Sequence, residues 1–547
     1  MGAAGAGIMA LLDAYTGTNV NVAEKICDRY ARVPERIALF YEDESGRAER
    51  VTFRELQEQS AAFAGFLRAI GVGKGDRVAG LLPKGPELLV TVLAVWRLGA
   101  VYVPLFTAFG PDAVAYRVRG SRAKVLVAGA EQRGKVPADL VADGLMVVTV
   151  AGPRGRGIER GDFSFHHELA RATPVPSPEP LSGDDPMILL YTSGTTGNPK
   201  AVVVPVKALA AFEAYMRFGL DLRDEDAFWN VADPGWAYGL YYGLIGPLLL
   251  GKATLWYNGR FDPKVALRLL EDYRVTNWAA APTAFRALRA AGATGGDRYS
   301  LRVISSAGEP LNPEVMDWAR REFGVPIHDH YGQTELGMVI NNHHHPDWAR
   351  ELKPGSMGLS MPGFRAAIVD DEGRELGPGQ EGHLAIDVTQ SPLFWFRGYE
   401  GNPEATRSRF TPDGRYYLTG DDASMDEDGY FYFSGRSDDI ILSAGYRIGP
   451  FEVENVLLTH PAVAECAVVG APDELRGEII QAFVVLRPGY APSPELEDEL
   501  RQLVRSRLAA HAYPRAFVFV RELPKTPSGK IQRYLLRKAG SSRDGRQ

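Results

Sequence analysis

The chain has 547 residues, 45% of them hydrophobic, with 61 basic against 68 acidic side chains and a net charge of −7. That length exceeds what a single core supports and calls for a globular protein of at least two domains. The slightly acidic balance removes any electrostatic case for nucleic acid or an anionic membrane as partner, and no run reaches the roughly 18 apolar residues of a bilayer span, so no stable membrane insertion is expected. Cys27 and Cys466 are too few for a disulfide framework or a CxxC metal site, which fits a reducing, cytoplasmic setting. The N-terminus lacks a basic region and Asp13 interrupts its short apolar run, so no signal peptide is expected.

From Val51 onward the pattern alternates helix with strand. Thr52 and Glu55 form a capping box, Leu56, Phe63, Leu67 and Ile70 share a helical face, and Gly71 ends the helix. Residues 77–82 read as strand, 87–98 as helix and 101–103 as strand, a unit typical of an α/β domain. The Pro-, Gly- and Ser-rich stretch 152–185 reads as a surface connection. Further on, 275–281, 302–306 and 325–328 are expected strands, and 263–273 and 313–323 expected helices. From Gly363 the texture changes to short β runs such as 366–369 and 383–386, which predicts a separate smaller sheet region. The last hundred or so residues read as a compact α+β unit, with a helix starting at Ser493-Pro494 and presenting Leu496, Leu500, Val504 and Leu508 on one face, then a strand over 517–520.

Between the apolar runs 187–190 and 201–204 lies Tyr191-Thr192-Ser193-Gly194-Thr195-Thr196-Gly197-Asn198-Pro199-Lys200. Glycines let backbone N–H groups approach anionic oxygens, hydroxyls donate further bonds, and Lys200 adds a cation, so the composition suits polyphosphate. The spacing is not that of a Walker loop, and strands flank it on both sides, which predicts a phosphate loop carried on a hairpin. An ordinary surface turn is the competing reading.

That loop, Tyr331-Gly332-Gln333-Thr334-Glu335, Tyr417-Leu418-Thr419-Gly420-Asp421, Gly435-Arg436-Ser437-Asp438-Asp439 and Pro524-Lys525-Thr526-Pro527-Ser528-Gly529-Lys530 occur in an order that resembles the adenylate-forming synthetase superfamily, most of all its acetyl-CoA and medium-chain acyl-CoA synthetases. The resemblance implies an α/β fold: a large N-terminal domain of α/β sheets with a small β-rich region (1–437), followed by a small mobile α+β C-terminal domain (438–547) that turns at a hinge, Asp438. It implies an ATP-dependent acid–thiol ligase. A carboxylic acid attacks the α-phosphate of ATP to give acyl-AMP and pyrophosphate, and the acyl group then passes to coenzyme A.

By the same resemblance Ser193, Gly194, Thr195, Thr196, Gly197 and Lys200 cradle pyrophosphate, with Thr196 a phosphate donor, and Glu335 holds Mg²⁺ as a hard-cation ligand. Gly308, Glu309 and Pro310 contact adenine and Tyr331 stacks on it, with Thr334 beside them. Asp421 and Arg436 hold the ribose. Lys530 is the catalytic lysine of adenylation, while Gly445 and Arg447 face the site for thioester formation and give room and charge to coenzyme A. The expected partners are ATP, coenzyme A and a small carboxylic acid, the expected assembly a monomer or small homo-oligomer.

Acetate-specific members carry Trp where this chain has Gly332, so the pocket floor is expected to be absent and the acid to be medium-chain, branched or aromatic, lined by Trp236 and Tyr238. On this reading Gly332→Trp shifts preference toward acetate. A short-chain ligase or an enzyme loading a carrier protein are the alternatives. A nucleotide-binding NTPase or inactive sensor is the rival from another class. His343-His344-His345 reads as surface histidines with no metal spacing.

Overall fold

The structure is a computed structural model and describes residues 3–152, 155–192, 199–296, 298–443, 446–473, 476–508, 512–525 and 531–541. The expected capping box forms: the Thr52 hydroxyl accepts the Glu55 N–H and the Glu55 carboxylate accepts the Thr52 N–H at 2.7 Å. The helix Phe53–Ala69 that follows buries Phe53, Leu56, Phe63 and Leu67 on one face. Gly71, at φ +88°, then turns the chain away in a conformation that costs other residues energy.

Three sheets organise the chain. In the first, strands run in the spatial order Phe163–Ser164, Met146–Val150, Val125–Gly129, Arg77–Leu81, Val101–Pro104, Pro186–Tyr191 and Ala201–Pro205, parallel except for the last pair. Helices Pro86–Arg97 and Pro111–Ser121 make crossovers between these strands, which explains why Val125–Gly129 is apolar and buried along its whole length.

The second sheet has 13 strands. Its central part, Ile327–Gln333, Val303–Ala307, Asn277–Ala280, Phe228–Asn230, Thr254–Asn258 and Ile37–Asp43, is parallel. On the other side of Ile327–Gln333 the sheet turns antiparallel through Gly337–Asn341, Ser356–Ser360, Phe431–Arg436, Tyr416–Met425, Glu381–Asp387 and Ala366–Val369. The β-rich region is therefore present but not separate: Ser356–Ser360 hydrogen-bonds to both parts and joins them. Ile327–Gln333 is the strand at which parallel pairing becomes antiparallel, the kind of position outside which α/β sheets bind ligands.

The C-terminal unit is the third sheet, five strands with Gly477–Leu486 paired antiparallel to Val463–Asp473 and parallel to Ala516–Phe519. Ser493 caps the helix Pro494–Arg507 by accepting the Leu496 N–H at 3.2 Å, and Leu496, Leu500 and Val504 are buried under it.

Two local expectations change. The stretch 152–185 contains the helix Phe165–Arg171, whose Phe165 packs on Phe63 with ring centroids 4.5 Å apart. His343 is not a surface residue: it is 3% exposed, and His344 stacks on His328 at 3.6 Å. Both are held by the sheet behind them, a contact between distant segments that no local pattern signals. Among the described residues, no helix is long and apolar enough to cross a membrane.

Candidate active site

The hairpin predicted for the phosphate loop forms, with Tyr191 opposite Ala201 and the Thr192 N–H donating to the Lys200 carbonyl at 2.9 Å to close its neck. Ser193, Gly194, Thr195, Thr196 and Gly197 lie outside the described residues, as do Gly445, Lys530 and the side chain of Arg447. Lys200 is described, half-buried at the mouth of the hairpin, with its ammonium 5.3 Å over the ring of Tyr399. Burial lowers its pKa and the Arg409 cation adds to this, while the Glu335 carboxylate opposes both. Tyr399 is brought there by backbone pairing: Val202 bridges Tyr399, and the Glu400 N–H donates to the Ala201 carbonyl at 2.8 Å.

Glu335 follows the strand Ile327–Gln333 in a turn that large side chains hold from beneath. The Tyr241 hydroxyl donates to the Thr334 carbonyl at 3.0 Å, and the Trp395 indole N–H to that of Leu336 at 2.9 Å. Glu335 is 6% exposed, and its Oε1 accepts the Tyr399 hydroxyl at 2.7 Å. That hydroxyl in turn accepts Arg409 Nε at 3.0 Å, and Arg409 Nη1 donates to the Thr419 carbonyl at 3.0 Å. A carboxylate, a phenol and a guanidinium thus run from the phosphate hairpin to the strand that carries Asp421. Among the described residues no group of three or more His, Cys, Asp or Glu side chains could hold a metal by itself. A single buried carboxylate beside the expected phosphate loop nevertheless fits Mg²⁺, which keeps several waters and binds through one or two carboxylates together with substrate phosphates.

Asp421 and Arg436 face each other across Tyr416–Met425 and Phe431–Arg436. Asp421 is 5% exposed; its Oδ2 accepts the Tyr331 hydroxyl at 2.5 Å and Gln333 Nε2 at 2.9 Å, and its Oδ1 lies 3.8 Å from Arg436 Nε. Burial pushes its pKa up, and Arg436 is the chief influence holding it down. The same Arg436 Nε is 3.4 Å from Asp438, which ties the residues expected to hold the ribose to the expected hinge. Gly308, Glu309 and Pro310 follow the strand Val303–Ala307, but Glu309 is committed to Arg286 at 2.5 Å and to the Thr283 hydroxyl at 2.8 Å. Asp329, two residues before Tyr331, is 7% exposed, and its Oδ1 has no hydrogen-bond partner among the described residues.

Trp236 packs against Phe106 and Phe109 at 5.4 and 5.6 Å, and Tyr238 packs against Tyr242 at 5.8 Å. Gly332 stands beside a register shift in the hairpin it shares with Gly337 and Met338. A Cβ there would sit 2.2 Å from the Gly337 carbonyl oxygen, so the glycine is needed for the close approach of two backbones. A side chain at this position requires the hairpin that carries Glu335 to shift, so Gly332→Trp would move that hairpin in addition to filling space beside it.

Next to Asp421 on the strand Tyr416–Met425, Asp422 accepts from Ser437 and lies 2.9 Å from His383 Nδ1, whose other nitrogen is 2.8 Å from Asp371. Hydrogen bonding to Asp422 first, against burial, raises His383 from 6.5 to about 9. The pairing therefore favours the protonated folded state: its contribution is complete below pH 6.5 and is lost as pH rises through about 9. Equilibrium unfolding is expected to show stability falling between pH 7 and 10, with a shallower fall in His383→Gln; an identical slope in the variant would refute the assignment.

Lys200, Tyr331, Gly332, Thr334, Glu335, Asp421, Arg436, Asp438, the Gly308-Glu309-Pro310 segment, Trp236 and Tyr238 all line one cleft of about 3550 Å³, whose far wall is built by C-terminal residues including Lys525, Ile531 and Arg533. Arg409, Gln333 and Asp329 belong to it too, and Tyr399 is bonded to two of its residues, Glu335 and Arg409. Gln333 stood in a recognised motif; Arg409 and Tyr399 carry no local signal that sets them apart from the chain's other arginines and tyrosines.

The chain matches the AMP-binding enzyme family over residues 27–399 and the AMP-binding enzyme C-terminal domain over 452–530. It is 42% identical over 530 residues to the acetyl-coenzyme A synthetase of Bacillus subtilis (strain 168), covering 95% of this chain and 90% of the relative. It is 38% identical over 510 residues to the mitochondrial acyl-coenzyme A synthetase ACSM3 of Rattus norvegicus, covering 92% and 86%. The crystal structure of Brucella canis acyl-CoA synthetase is 48% identical, superimposes with a TM-score of 0.76 and covers 98% of this chain and 97% of that one. With its cation-lined cleft and two matching segments, the chain belongs to the AMP-binding enzyme family, as an AMP-forming acyl-CoA synthetase.

Proposed function

We propose that this ligase activates a medium-chain, branched or aromatic carboxylic acid, in the cytoplasm and with Mg²⁺. The observation that carries the reading is the adjacency, in one cleft, of the Lys200–Glu335–Arg409 cluster and an aromatic wall containing Trp236 and Tyr238. The two buried thiols, Cys27 and Cys466, suit a reducing compartment.

In the first step a carboxylate oxygen bonds to the α-phosphorus, and the bond from that phosphorus to the β-bridging oxygen breaks, its electron pair leaving with pyrophosphate. Two anions meet, so the barrier falls where fixed cations and donors face the accumulating charge. Lys200 and the 193–197 loop hold the departing pyrophosphate, and Arg409 lends a second cation. Mg²⁺, held by Glu335 and phosphate oxygens, supplies charge neutralisation when bound. Asp421 accepts from the ribose hydroxyls, Arg436 steadies it, and the unpartnered oxygen of Asp329 accepts from the adenine amine. Lys530 approaches the α-phosphate from the C-terminal unit. Rotation at Asp438 then replaces Lys530 by the segment with Gly445 and Arg447, and the thiol of coenzyme A attacks the acyl carbon, releasing AMP and giving its proton to solvent.

The test is acid-dependent ATP–pyrophosphate exchange across a panel from acetate to octanoate, branched acids and benzoates, followed by coenzyme A. Exchange peaking beyond propionate, with acyl-CoA formed, is the expected result. A maximum at acetate overturns the acid class, and acyl-AMP without acyl-CoA turns the acceptor into a carrier protein. Neighbouring chain lengths should differ by only about 10–200-fold, because one methylene in an apolar pocket discriminates weakly.

A further inference from the structure

Behind the aromatic wall, three side chains constrain one another's protons from the core outward. His330, on the strand Ile327–Gln333, is 2% exposed, and its Nε2 lies 3.0 Å from the Asn342 carbonyl oxygen. A carbonyl oxygen only accepts, so Nε2 carries the hydrogen. Burial, reinforced by His328, holds the imidazole neutral, and its Nδ1 therefore keeps a lone pair. The Tyr215 hydroxyl is 2.6 Å from that Nδ1 and must donate to it. Tyr215 is fully buried, and its oxygen, having given its proton inward, meets the Tyr238 hydroxyl at 3.4 Å as an acceptor. Tyr238 donates inward in turn, and what it presents to the cleft it lines is lone pairs without a proton.

We propose that the Tyr238→Tyr215→His330 chain makes the acyl pocket selective for carboxylic acids that carry a hydrogen-bond donor, a hydroxyl or an amino group, where the acyl group meets Tyr238. This rests on the acyl-pocket reading above and names its substrate class. An acid of the same size with only an acceptor at that point meets oxygen with oxygen. It binds only if Tyr238 turns its proton outward and gives up the bond to Tyr215. Losing one such bond corresponds to a preference of roughly 5- to 10-fold for the donor acid. Tyr215 and His330 are positioning residues here, acting on substrate through Tyr238 alone.

The test compares kcat/KM for 4-hydroxypentanoate against 4-oxopentanoate, and for 4-aminobenzoate against 4-nitrobenzoate, in the full-length enzyme with ATP and coenzyme A. The hydroxy or amino acid is expected to lead. Tyr215→Phe leaves Tyr238 with nothing to donate to, so its proton becomes available and the oxo or nitro acid should rise toward its partner. Tyr238→Phe should also close the gap, but by lowering the hydroxy or amino acid. The two variants thus give opposite signatures that a merely structural loss would not produce, and Tyr238→Phe, at the cleft wall, keeps the test open if Tyr215→Phe fails to fold. Equal use of both members of a pair by the unaltered enzyme, or a preference that neither variant moves, overturns the proposal while leaving the acyl-pocket reading intact. Failure of every acid in both pairs to support exchange overturns the acyl-pocket reading itself, and the proposal with it.

Discussion

Lys530→Ala is expected to slow acid-dependent ATP–pyrophosphate exchange by roughly 10²–10³-fold, the cost of removing one group aimed at charge that develops in the transition state. Thioester formation from preformed acyl-AMP and coenzyme A should be nearly unchanged. The expectation is built from the residues on either side. Lys525 and Ile531 bridge each other, the Gln532 N–H donates to the Pro524 carbonyl at 2.9 Å, and Lys525 is held by both oxygens of Glu465 at 2.8 and 2.9 Å. Beyond them Arg533 is pinned by the buried Glu454 at 2.7 and 2.8 Å. Lys525, Ile531 and Arg533 all line the cleft. On the proposed role, in which Lys530 serves the attack on the α-phosphate and leaves when the C-terminal unit turns, its loss must split the two half-reactions. Equal loss in both would refute the role.

Arg409→Met is expected to cost adenylation roughly 10²-fold and to raise KM for ATP. Its guanidinium does two things: it adds positive charge near Lys200, and through the Tyr399 hydroxyl and the Thr419 carbonyl it links Glu335 to the strand bearing Asp421. Removing it takes away both. Arg409→Lys keeps the charge but cannot reach both partners in the planar geometry of a guanidinium, so it should recover only part of the loss. Tyr399→Phe keeps the ring under Lys200 and the Arg409 cation in place while breaking the hydroxyl's bonds to Glu335 and Arg409, so its effect should be smaller than that of Arg409→Met. Exchange rates at varied ATP decide the matter, with circular dichroism to confirm folding. If Arg409→Met and Arg409→Lys are equally impaired, charge is not what the residue supplies.

The hairpin around the expected phosphate loop was legible because its signal is local: two short apolar runs, 187–190 and 201–204, separated by glycines and hydroxyls read as paired strands. The capping box at Thr52 and the C-terminal amphipathic helix were legible for the same reason, each being a matter of a few adjacent residues. Arg409 and Tyr399 were not, because their function is their position against Glu335 and Lys200, more than sixty residues away in each case, and nothing near them in the chain encodes it. His343 and His344 were misplaced on the surface for the related reason that three adjacent histidines read as polar, whereas a neutral imidazole can pack against a sheet, as His343 does with its Nε2 3.3 Å from the Ser360 carbonyl oxygen and His344 does by stacking on His328. The antiparallel region was foreseen as strands but not as one sheet with its parallel neighbours, since strand order depends on pairing between remote segments.

By itself the sequence determined the α/β class and the hairpin of Pro186–Tyr191 and Ala201–Pro205, because residue type and short-range spacing are sufficient for each, and the order of its motifs carried the resemblance to adenylate-forming ligases. Only the tertiary structure decided that Gly332 is glycine to let two backbones meet, that Glu335 is wired to Arg409 through Tyr399, and that Tyr238, Tyr215 and His330 lie in one hydrogen-bonded series. These depend on distances between residues far apart in the chain and on which hydrogen bonds burial leaves open, quantities that exist only after the chain has folded.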